Sequence, residues 1–149
     1  MRAVAQRVRR ARITVGAEVV GEMGDGLLAL IGVGRDDTVA TAAELAHKLA
    51  HLRVFEDAEG KMNASLLDVG FTLGVVSQFT LFGDARKGRR PSYAEAAPPE
   101  QAAPLVEAVC DAARALGVAV VTGRFRAAMD VELVNAGPVT ILLDTARQF

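Results

Sequence analysis

The sequence has a single cysteine, Cys110, and this scarcity limits the classes of protein to which it can belong. One cysteine cannot form an internal disulfide, and the N-terminal residues show no long apolar run before a cleavage site. No secretory signal is predicted. A reducing compartment agrees with both observations, so we expect a cytoplasmic location.

Long hydrophobic runs are also missing, although hydrophobic residues make up 51% of the 149 residues. The longest apolar stretch, residues 27–33, is far shorter than the roughly 20 residues that a membrane-spanning helix needs. No membrane association is predicted. The apolar content is ample for one buried core, which predicts a single domain over residues 1–149.

An excess of charge is absent as well, since the formal net charge is −1 and the isoelectric point is near 6.1. A domain that coats nucleic acid through bulk charge is strongly basic, so any contact with RNA has to be local. The dense basic run outside the N-terminal arginines contains Arg86, Lys87, Arg89 and Arg90. Its charge alone fits a solvated loop equally well.

Histidine is scarce, which restricts the catalytic devices available. His47 and His51 lie four residues apart in a predicted helix, and no neighbouring carboxylate orients them as in a Ser-His-Asp triad. The glutamate of a zinc-protease motif and a third ligand are both lacking. We predict no bound metal and no cofactor.

Clusters of β-branched residues separated by turn residues predict most of the secondary structure. Strands are predicted at residues 3–8, 13–20, 27–33, 73–79, 118–121, 130–134 and 139–143, with a further strand or sheet edge near residues 54–55. Helical spacing predicts one helix over residues 37–52, with Asp36 or Asp37 as N-cap, and a second from Pro98-Pro99 to Gly117. Strands grouped around two helices favour a β-rich α+β fold.

Polar residues stand where a buried strand ends, in the segment Ser77-Gln78-Phe79-Thr80-Leu81. Backbone N–H groups that leave a sheet at such a point can bind an oxyanion, with help from the Gln78 amide. An ordinary strand end whose hydroxyls satisfy a turn has the same pattern. Thr80 as a nucleophile requires a nearby general base, and the sequence offers few candidates.

Gly137-Pro138 divides two predicted strands, in the segment Asn135-Ala136-Gly137-Pro138-Val139-Thr140. Glycine supplies unusual dihedral angles and proline fixes its own, so an ordinary hairpin turn is one interpretation. The residues themselves do not decide between a turn and a functional loop.

Taken in order, these two segments and several others resemble the D-aminoacyl-tRNA deacylases over essentially the whole chain. The further matching segments are Gln6-Arg7-Val8, Gly60-Lys61-Met62-Asn63-Ala64-Ser65, Gly83-Asp84, the basic run from Arg86 to Tyr93, and Gly123-Arg124-Phe125. Two departures are visible: Phe71 stands where a second glycine is usual, and Ala128 where many members carry an aspartate.

The resemblance implies hydrolysis of the ester between a D-amino acid and the 3′ end of tRNA, possible release of glycine mischarged on tRNA(Ala), and rejection of L-aminoacyl-tRNA. It implies a homodimer in which a cis Gly-Pro peptide enters the active site of the opposite subunit. The implied catalytic residues are Ser77, Gln78, Phe79 and Thr80. The implied substrate-binding residues are Arg7, Met129, Asn135, Gly137, Pro138, Val139 and Thr140, and the basic run is expected to contact tRNA phosphates.

Two hypotheses for the chemistry follow. In the favoured one, water attacks with help from the substrate's own 2′-hydroxyl while the Ser77 to Thr80 backbone stabilises the oxyanion. In the other, Thr80 is a covalent nucleophile. Two alternative functions stay open at this point: a module that binds the tRNA end without hydrolysis, and a small dimeric scaffold.

Overall fold

The computed structural model describes all 149 residues, which form eight strands, three α-helices and one 3-10 helix. The strands are β1 (Arg2–Val15), β2 (Glu18–Met23), β3 (Gly26–Gly32), β4 (Phe55–Glu56), β5 (Met62–Ala64), β6 (Thr72–Ser77), β7 (Ala119–Thr122) and β8 (Asp130–Asp144). The helices are α1 (Val39–His51), α2 (Leu66–Val69), α3 (Pro99–Ala115) and the 3-10 helix (Phe79–Phe82).

The main sheet has six strands and is organised around β1, which is paired on both edges. One edge of β1 pairs antiparallel with β8 from Arg2 to Thr14. The other edge pairs with β3 through its first half and with β2 through its second half. β3, β6 and β7 then continue the sheet in parallel. The predicted α+β class, with strands grouped around the helices in a single compact domain, is confirmed.

β2 and β7 approach each other closely, so the sheet is nearly closed into a barrel. A side chain at Gly21 would place its Cβ 2.8 Å from the carbonyl oxygen of Thr122 and 2.9 Å from a methyl carbon of Val121. Glycine at this position lets the two backbones come together where any larger residue would push them apart.

α1 and α3 cover one side of the sheet with small and branched residues. Leu45 and Leu49 of α1 and Val109 of α3 are completely buried, in the same cluster as Leu73 and Val75 of β6. Burying side chains of this size stabilises the fold by about 1.5–3 kcal/mol each. None of the helices combines the length and the apolar character needed to span a membrane.

The helix ends show where local predictions succeed and fail. α3 begins at Pro99 and Gly117 follows its end in the left-handed conformation, as predicted. The predicted N-cap of α1 is wrong: Thr38 caps the helix through its side chain, with Thr41 completing a capping box. Asp37 instead accepts a hydrogen bond of 2.6 Å from the backbone N–H of Gly34.

Other boundaries differ from the predictions. The strands predicted at 3–8 and 13–20 do lie in strands, but the predicted boundaries are wrong: a single strand, β1, runs through the intervening arginines, and the chain turns only at Gly16, before β2. The short α2, capped by Ser65 and Asp68, was not predicted, so there are three α-helices where two were expected. Phe71, one of the two departures, packs edge-on against Phe55 with ring centroids 5.3 Å apart.

The strands predicted at 130–134 and 139–143 are two parts of one strand, β8, and the interpretation of Gly137-Pro138 as a hairpin turn is wrong. Both halves of β8 pair with the same neighbour, β1, so the chain does not reverse there. The register shifts between Gln6 and Arg10, opposite Gly137-Pro138, as in a β-bulge. Proline is tolerated because the outer edge of β8 has no strand paired to it.

Candidate active site

The segment that follows β6 leaves the sheet as soon as the strand ends. β6 ends at Ser77, two residues before the predicted end at Phe79. The Gln78 N–H donates to the carbonyl oxygen of Ile31 at 2.7 Å, and the 3-10 helix begins at Phe79. The first N–H groups of a helix have no acceptor within it. No side chain caps this one, so the N–H groups of Phe79 and Thr80 are available to a ligand.

A cavity of about 600 Å³ opens beside this segment. Ser77, Gln78 and Phe79 line it together with Met129, so the structure brings these four predicted site residues to one place. Phe79 is exposed and packs edge-on against Tyr93, with ring centroids 5.0 Å apart. Apolar side chains of α3, among them Ala102 and Val106, form part of the wall.

Thr80 is exposed and does not line the cavity. Its hydroxyl oxygen accepts a short hydrogen bond from the side-chain amide of Gln78, and no carboxylate or imidazole contacts it. The histidines lie on α1 and stack on each other, with ring centroids 4.1 Å apart. No group of three or more His, Cys, Asp or Glu side chains is arranged to hold a metal ion.

The second predicted segment is held in shape by hydrogen bonds around Asn135. Its side-chain oxygen accepts from the Val139 N–H at 3.0 Å, and its amide nitrogen donates to the Thr140 hydroxyl at 3.0 Å. The Gly137-Pro138 peptide bond is cis, as the resemblance implied, and both residues are exposed.

Arg7 ties this segment to the rest of the sheet. Its Nε donates to the carbonyl oxygen of Ala136 at 3.0 Å, and Nη1 donates to that of Val54 at 2.6 Å. Gly137 has φ of +128°, and a Cβ there would lie 2.9 Å from Nη2 of Arg7. Position 137 therefore requires glycine both for its backbone conformation and for space.

Within one chain, the two segments do not share a cavity. Neither Arg7 nor any residue from 135 to 140 lines the cavity next to Ser77, Gln78 and Phe79. The predicted site residues thus fall into two groups: one beside the 3-10 helix, which includes Met129, and one at the bulge of β8.

The basic run lies on an exposed loop and its members differ in their pairing. Arg86 is held by Asp84 through contacts of 2.7 and 2.8 Å. Hydrogen bonds from the Arg86 side chain and backbone lower the pKa of Asp84, and those to Asp84 raise the pKa of Arg86. Lys87, Arg89 and Arg90 are exposed and form no ion pair.

Sequence reasoning missed one charged residue of the cavity. Arg126 lines it in a left-handed backbone conformation with φ of 62°. A positive φ in a residue other than glycine leaves no pattern in the sequence. The apolar positions Ala102 and Val106 were likewise predicted only as part of a helix.

Comparison with known proteins gives the same reading of the whole chain. The family described as D-Tyr-tRNA(Tyr) deacylase matches residues 4–144. A protein of Roseiflexus sp. (strain RS-1) named D-aminoacyl-tRNA deacylase is 62% identical over 146 residues, covering 98% of this chain and 94% of its own. One of Symbiobacterium thermophilum with the same name is 58% identical and covers 100% and 99%.

The chain belongs to the D-Tyr-tRNA(Tyr) deacylase family. Like the members of this deacylase family that it matches, it is an enzyme that hydrolyses D-aminoacyl-tRNA. The predicted family and activity are confirmed, and the two alternative functions, a non-hydrolytic binding module and a scaffold, are set aside.

Solved structures agree with the deacylase fold. A structure described as c-Myc DNA Unwinding Element Binding Protein superimposes with a TM-score of 0.91 at 38% identity, covering 97% of this chain and 99% of its own. A structure described as a probable eukaryotic D-amino acid tRNA deacylase superimposes with a TM-score of 0.81 at 19% identity, covering 95% and 97%, and supports the fold alone.

Proposed function

We propose that ester hydrolysis takes place beside the 3-10 helix, where the backbone N–H groups of Phe79 and Thr80 and the side-chain amide of Gln78 hold the oxyanion. The observation that carries this proposal is the uncapped start of that helix, where Gln78 and Phe79 line the cavity. Loss of one oxyanion donor typically lowers the rate by about 10²–10³. Ser77 lines the cavity next to these donors.

Water is the nucleophile in this proposal, and the substrate's own 2′-hydroxyl assists it. A threonine hydroxyl is barely ionised at neutral pH and needs an adjacent base to attack an ester. The side-chain hydrogen bond of the Thr80 hydroxyl is made with the amide nitrogen of Gln78, which is a donor and cannot accept its proton. Electrostatic stabilisation is therefore the main contribution that these residues make to the rate.

The test is hydrolysis of D-Tyr-tRNA by Thr80→Ala and Gln78→Ala. We expect Thr80→Ala to retain near-normal kcat, because its backbone N–H is unchanged, and Gln78→Ala to lose about tenfold or more. Loss of turnover by Thr80→Ala with intact substrate binding, or a trapped acyl-enzyme on Thr80, would establish the nucleophile hypothesis instead.

We further propose that the enzyme acts as a homodimer and that the Gly137-Pro138 loop of one subunit completes the active site of the other. Two observations support this. The loop and the 3-10 helix do not share a cavity within one chain. In addition, no strand pairs with the outer edge of β8, and two large apolar side chains of this strand are exposed, Leu142 by 60% and Val134 by 40%. An unpaired edge strand with exposed apolar side chains is a surface that a second copy can cover.

Mixed dimers test this arrangement directly. A subunit carrying Gln78→Ala is combined with a subunit carrying Gly137→Val, each expected to be about tenfold or more slower than wild type by itself. If the loop acts on the opposite subunit, one of the two sites in each mixed dimer has an intact Gln78 from one subunit and an intact loop from the other. Each mixed dimer then recovers about half the rate of a wild-type dimer. No recovery, although mixed dimers form, would mean that each subunit uses its own loop.

Selection by handedness follows from rigid main chain in this proposal. The carbonyl oxygens of Gly137 and Pro138 accept from the substrate's α-ammonium and leave no room for a side chain on the L side. The exclusion is steric and does not depend on which amino acid arrives. Glycine has no side chain to exclude, so Gly-tRNA(Ala) is a substrate. Hydrolysis rates for D-Tyr-, L-Tyr- and Gly-tRNA measure this selection. Equal rates for D-Tyr-tRNA and L-Tyr-tRNA would overturn the proposal.

The remaining assignments concern the rest of the substrate and its location. Arg7 and Asn135, with Val139 and Thr140, hold the loop in shape, and Met129 contacts the substrate from the cavity wall. Arg86, Lys87, Arg89 and Arg90 bind phosphates of the tRNA acceptor end. The enzyme works in the cytoplasm, where aminoacyl-tRNA is found.

A further inference from the structure

The cavity beside the 3-10 helix holds one formal charge. Of its 17 lining residues, 13 are hydrophobic, and Arg126 is the single charged side chain among them. No carboxylate lines the cavity to balance it. A cation without a carboxylate partner favours the binding of an anion, because no other negative charge competes for it.

The backbone conformation of Arg126 favours a role in binding a ligand. Its φ of 62° is one of only two positive values among residues other than glycine in the chain. Long side chains rarely adopt this conformation, and residues held in it cluster at sites that bind ligands. The conformation lies in the turn between β7 and β8, between Phe125 and Ala127, which also line the cavity.

Arg124, two residues away, differs from Arg126 in having an ion-pair partner. Its guanidinium donates to both carboxylate oxygens of Glu18, at 3.0 and 2.8 Å, so its charge is already paired. Arg126 is also exposed, but it has neither an ion pair nor a side-chain hydrogen bond. Of the two arginines in this turn, Arg126 alone has its five donors free for an incoming acceptor.

We propose that Arg126 binds the phosphodiester on the 5′ side of the terminal adenosine of the substrate. This inference rests on the proposed site, which places the ester at Ser77 to Thr80. In such a substrate the aromatic faces of adenine can pack against the apolar side chains of the cavity, and the nearest negative charge lies one ribose away from the ester. A guanidinium matches phosphate oxygens in geometry and charge.

The experiment compares wild type with Arg126→Gln and Arg126→Lys on D-Tyr-tRNA over a range of salt concentrations. Arg126→Gln is expected to raise KM about tenfold with kcat unchanged. It is also expected to reduce the slope of log(kcat/KM) against log[salt] by about 0.7, the value for one phosphate contact with a single strand. Arg126→Lys is expected to bring both KM and the salt slope part of the way back to the wild-type values. The matched control, Arg124→Gln, leaves both as in wild type.

A second substrate separates phosphate binding from a structural role. D-tyrosyl adenosine, esterified at the 3′-oxygen and without a 5′ phosphate, is expected to be hydrolysed equally by wild type and Arg126→Gln. An equal loss on both substrates, or an unchanged salt slope, would overturn the inference. So would a loss confined to D-Asp-tRNA, because the anion would then be the amino-acid side chain. Should Arg126→Gln misfold, Arg126→Gly, which adopts φ of 62° without strain, makes the same test.

The outcome is distinguishable from failure of the proposed site. If Gln78→Ala leaves kcat unchanged on both substrates, the site beside the 3-10 helix is wrong. If Gln78→Ala lowers kcat but Arg126→Gln leaves the salt slope of wild type, only the assignment of Arg126 fails.

Discussion

Nε of Arg7 lies 3.0 Å from the carbonyl oxygen of Ala136, the residue immediately before Gly137. The same guanidinium reaches Val54 through Nη1, so one side chain of β1 is bonded to the bulge of β8 and to the segment before β4. The planar fork of arginine can make both bonds at once, whereas the single ammonium of lysine cannot copy this geometry. Arg7 therefore fixes the position of the loop that carries Pro138.

Replacement of Arg7 by lysine should reduce both stability and selection by handedness. We expect the free energy of unfolding to fall by about 1–3 kcal/mol, because a partly buried carbonyl loses its charged donor. The ratio of kcat/KM for D-Tyr-tRNA to that for L-Tyr-tRNA should fall with it. Urea unfolding and kinetics on both substrates measure the two effects.

Arg9→Lys is the matched control on the same strand. Arg9 is exposed and its contact with Asp25 is 3.5 Å, which is worth little in water. If the two variants behave alike, Arg7 does not hold the loop.

Gly26→Ala should destabilise the junction of β3 with β6. A Cβ at this position would lie 1.9 Å from the carbonyl oxygen of Thr72, and backbone cannot move aside as a flexible side chain can. We expect a loss of about 1–3 kcal/mol or more in the free energy of unfolding, measured as the urea midpoint.

Gly24→Ala, in the same turn, provides the comparison. Nothing lies within 4 Å of a Cβ there, so alanine should be neutral or stabilise the fold by up to about 1 kcal/mol. Equal midpoints for the two variants would show that the contact at Gly26 is relieved by a shift of the strands.

The buried thiol of Cys110 predicts a loss of stability in alkali. Burial raises the pKa of Cys110 from an ordinary value of 9.0 to about 11. Below pH 9 the thiol is neutral in both states and has no effect. Between pH 9 and 11 the unfolded chain loses this proton and the folded protein keeps it, so the free energy of unfolding decreases over this range.

Comparison with Cys110→Ala isolates this effect from other groups that titrate in alkali. The free energy of unfolding of the wild type, minus that of the variant, should fall as pH rises from 9 to 11 and be constant from pH 7 to 8. A difference that stays constant through pH 11 would contradict the prediction.

Within the basic loop, Lys87, Arg89 and Arg90 should contribute more to tRNA affinity than Arg86. Arg86 is already paired with Asp84, so part of its guanidinium is occupied and less available to a phosphate. Each of the other three carries an uncompensated charge. Glutamine replacements of the three together should flatten the salt dependence of KM by about two units of slope, with kcat unchanged. A larger effect from Arg86→Gln than from the single replacements Lys87→Gln, Arg89→Gln and Arg90→Gln would contradict this order.

Sequence reasoning identified most elements of the fold because their signals are local. The leucine spacing of α1, the Pro-Pro start of α3 and the glycine after it act within a few residues, and the structure contains all three. The resemblance supplied the cis peptide at Gly137-Pro138, which the residues themselves did not determine.

The errors come from interactions that are distant in sequence. Gly137-Pro138 has the composition of a turn, yet pairing of both flanks with β1 keeps the chain extended through it. Arginines at 9, 10 and 12 interrupt the apolar pattern of β1, yet β8 and β2 on its two edges continue the strand through them. The position of Arg126 in the cavity depends on its positive φ, which cannot be predicted from the residue type.

The pairing of β1 with β8 governs when the chain can finish folding on the ribosome. β1 leaves the exit tunnel long before β8 is made, and α1, β6 and α3 are synthesised between them. During that interval a strand of 14 residues has a free edge along which another chain could add. Pairings between residues so far apart in sequence form slowly. The six-stranded sheet therefore stays incomplete until β8 has been made, and until then the open edge of β1 is a place where a second chain can pair.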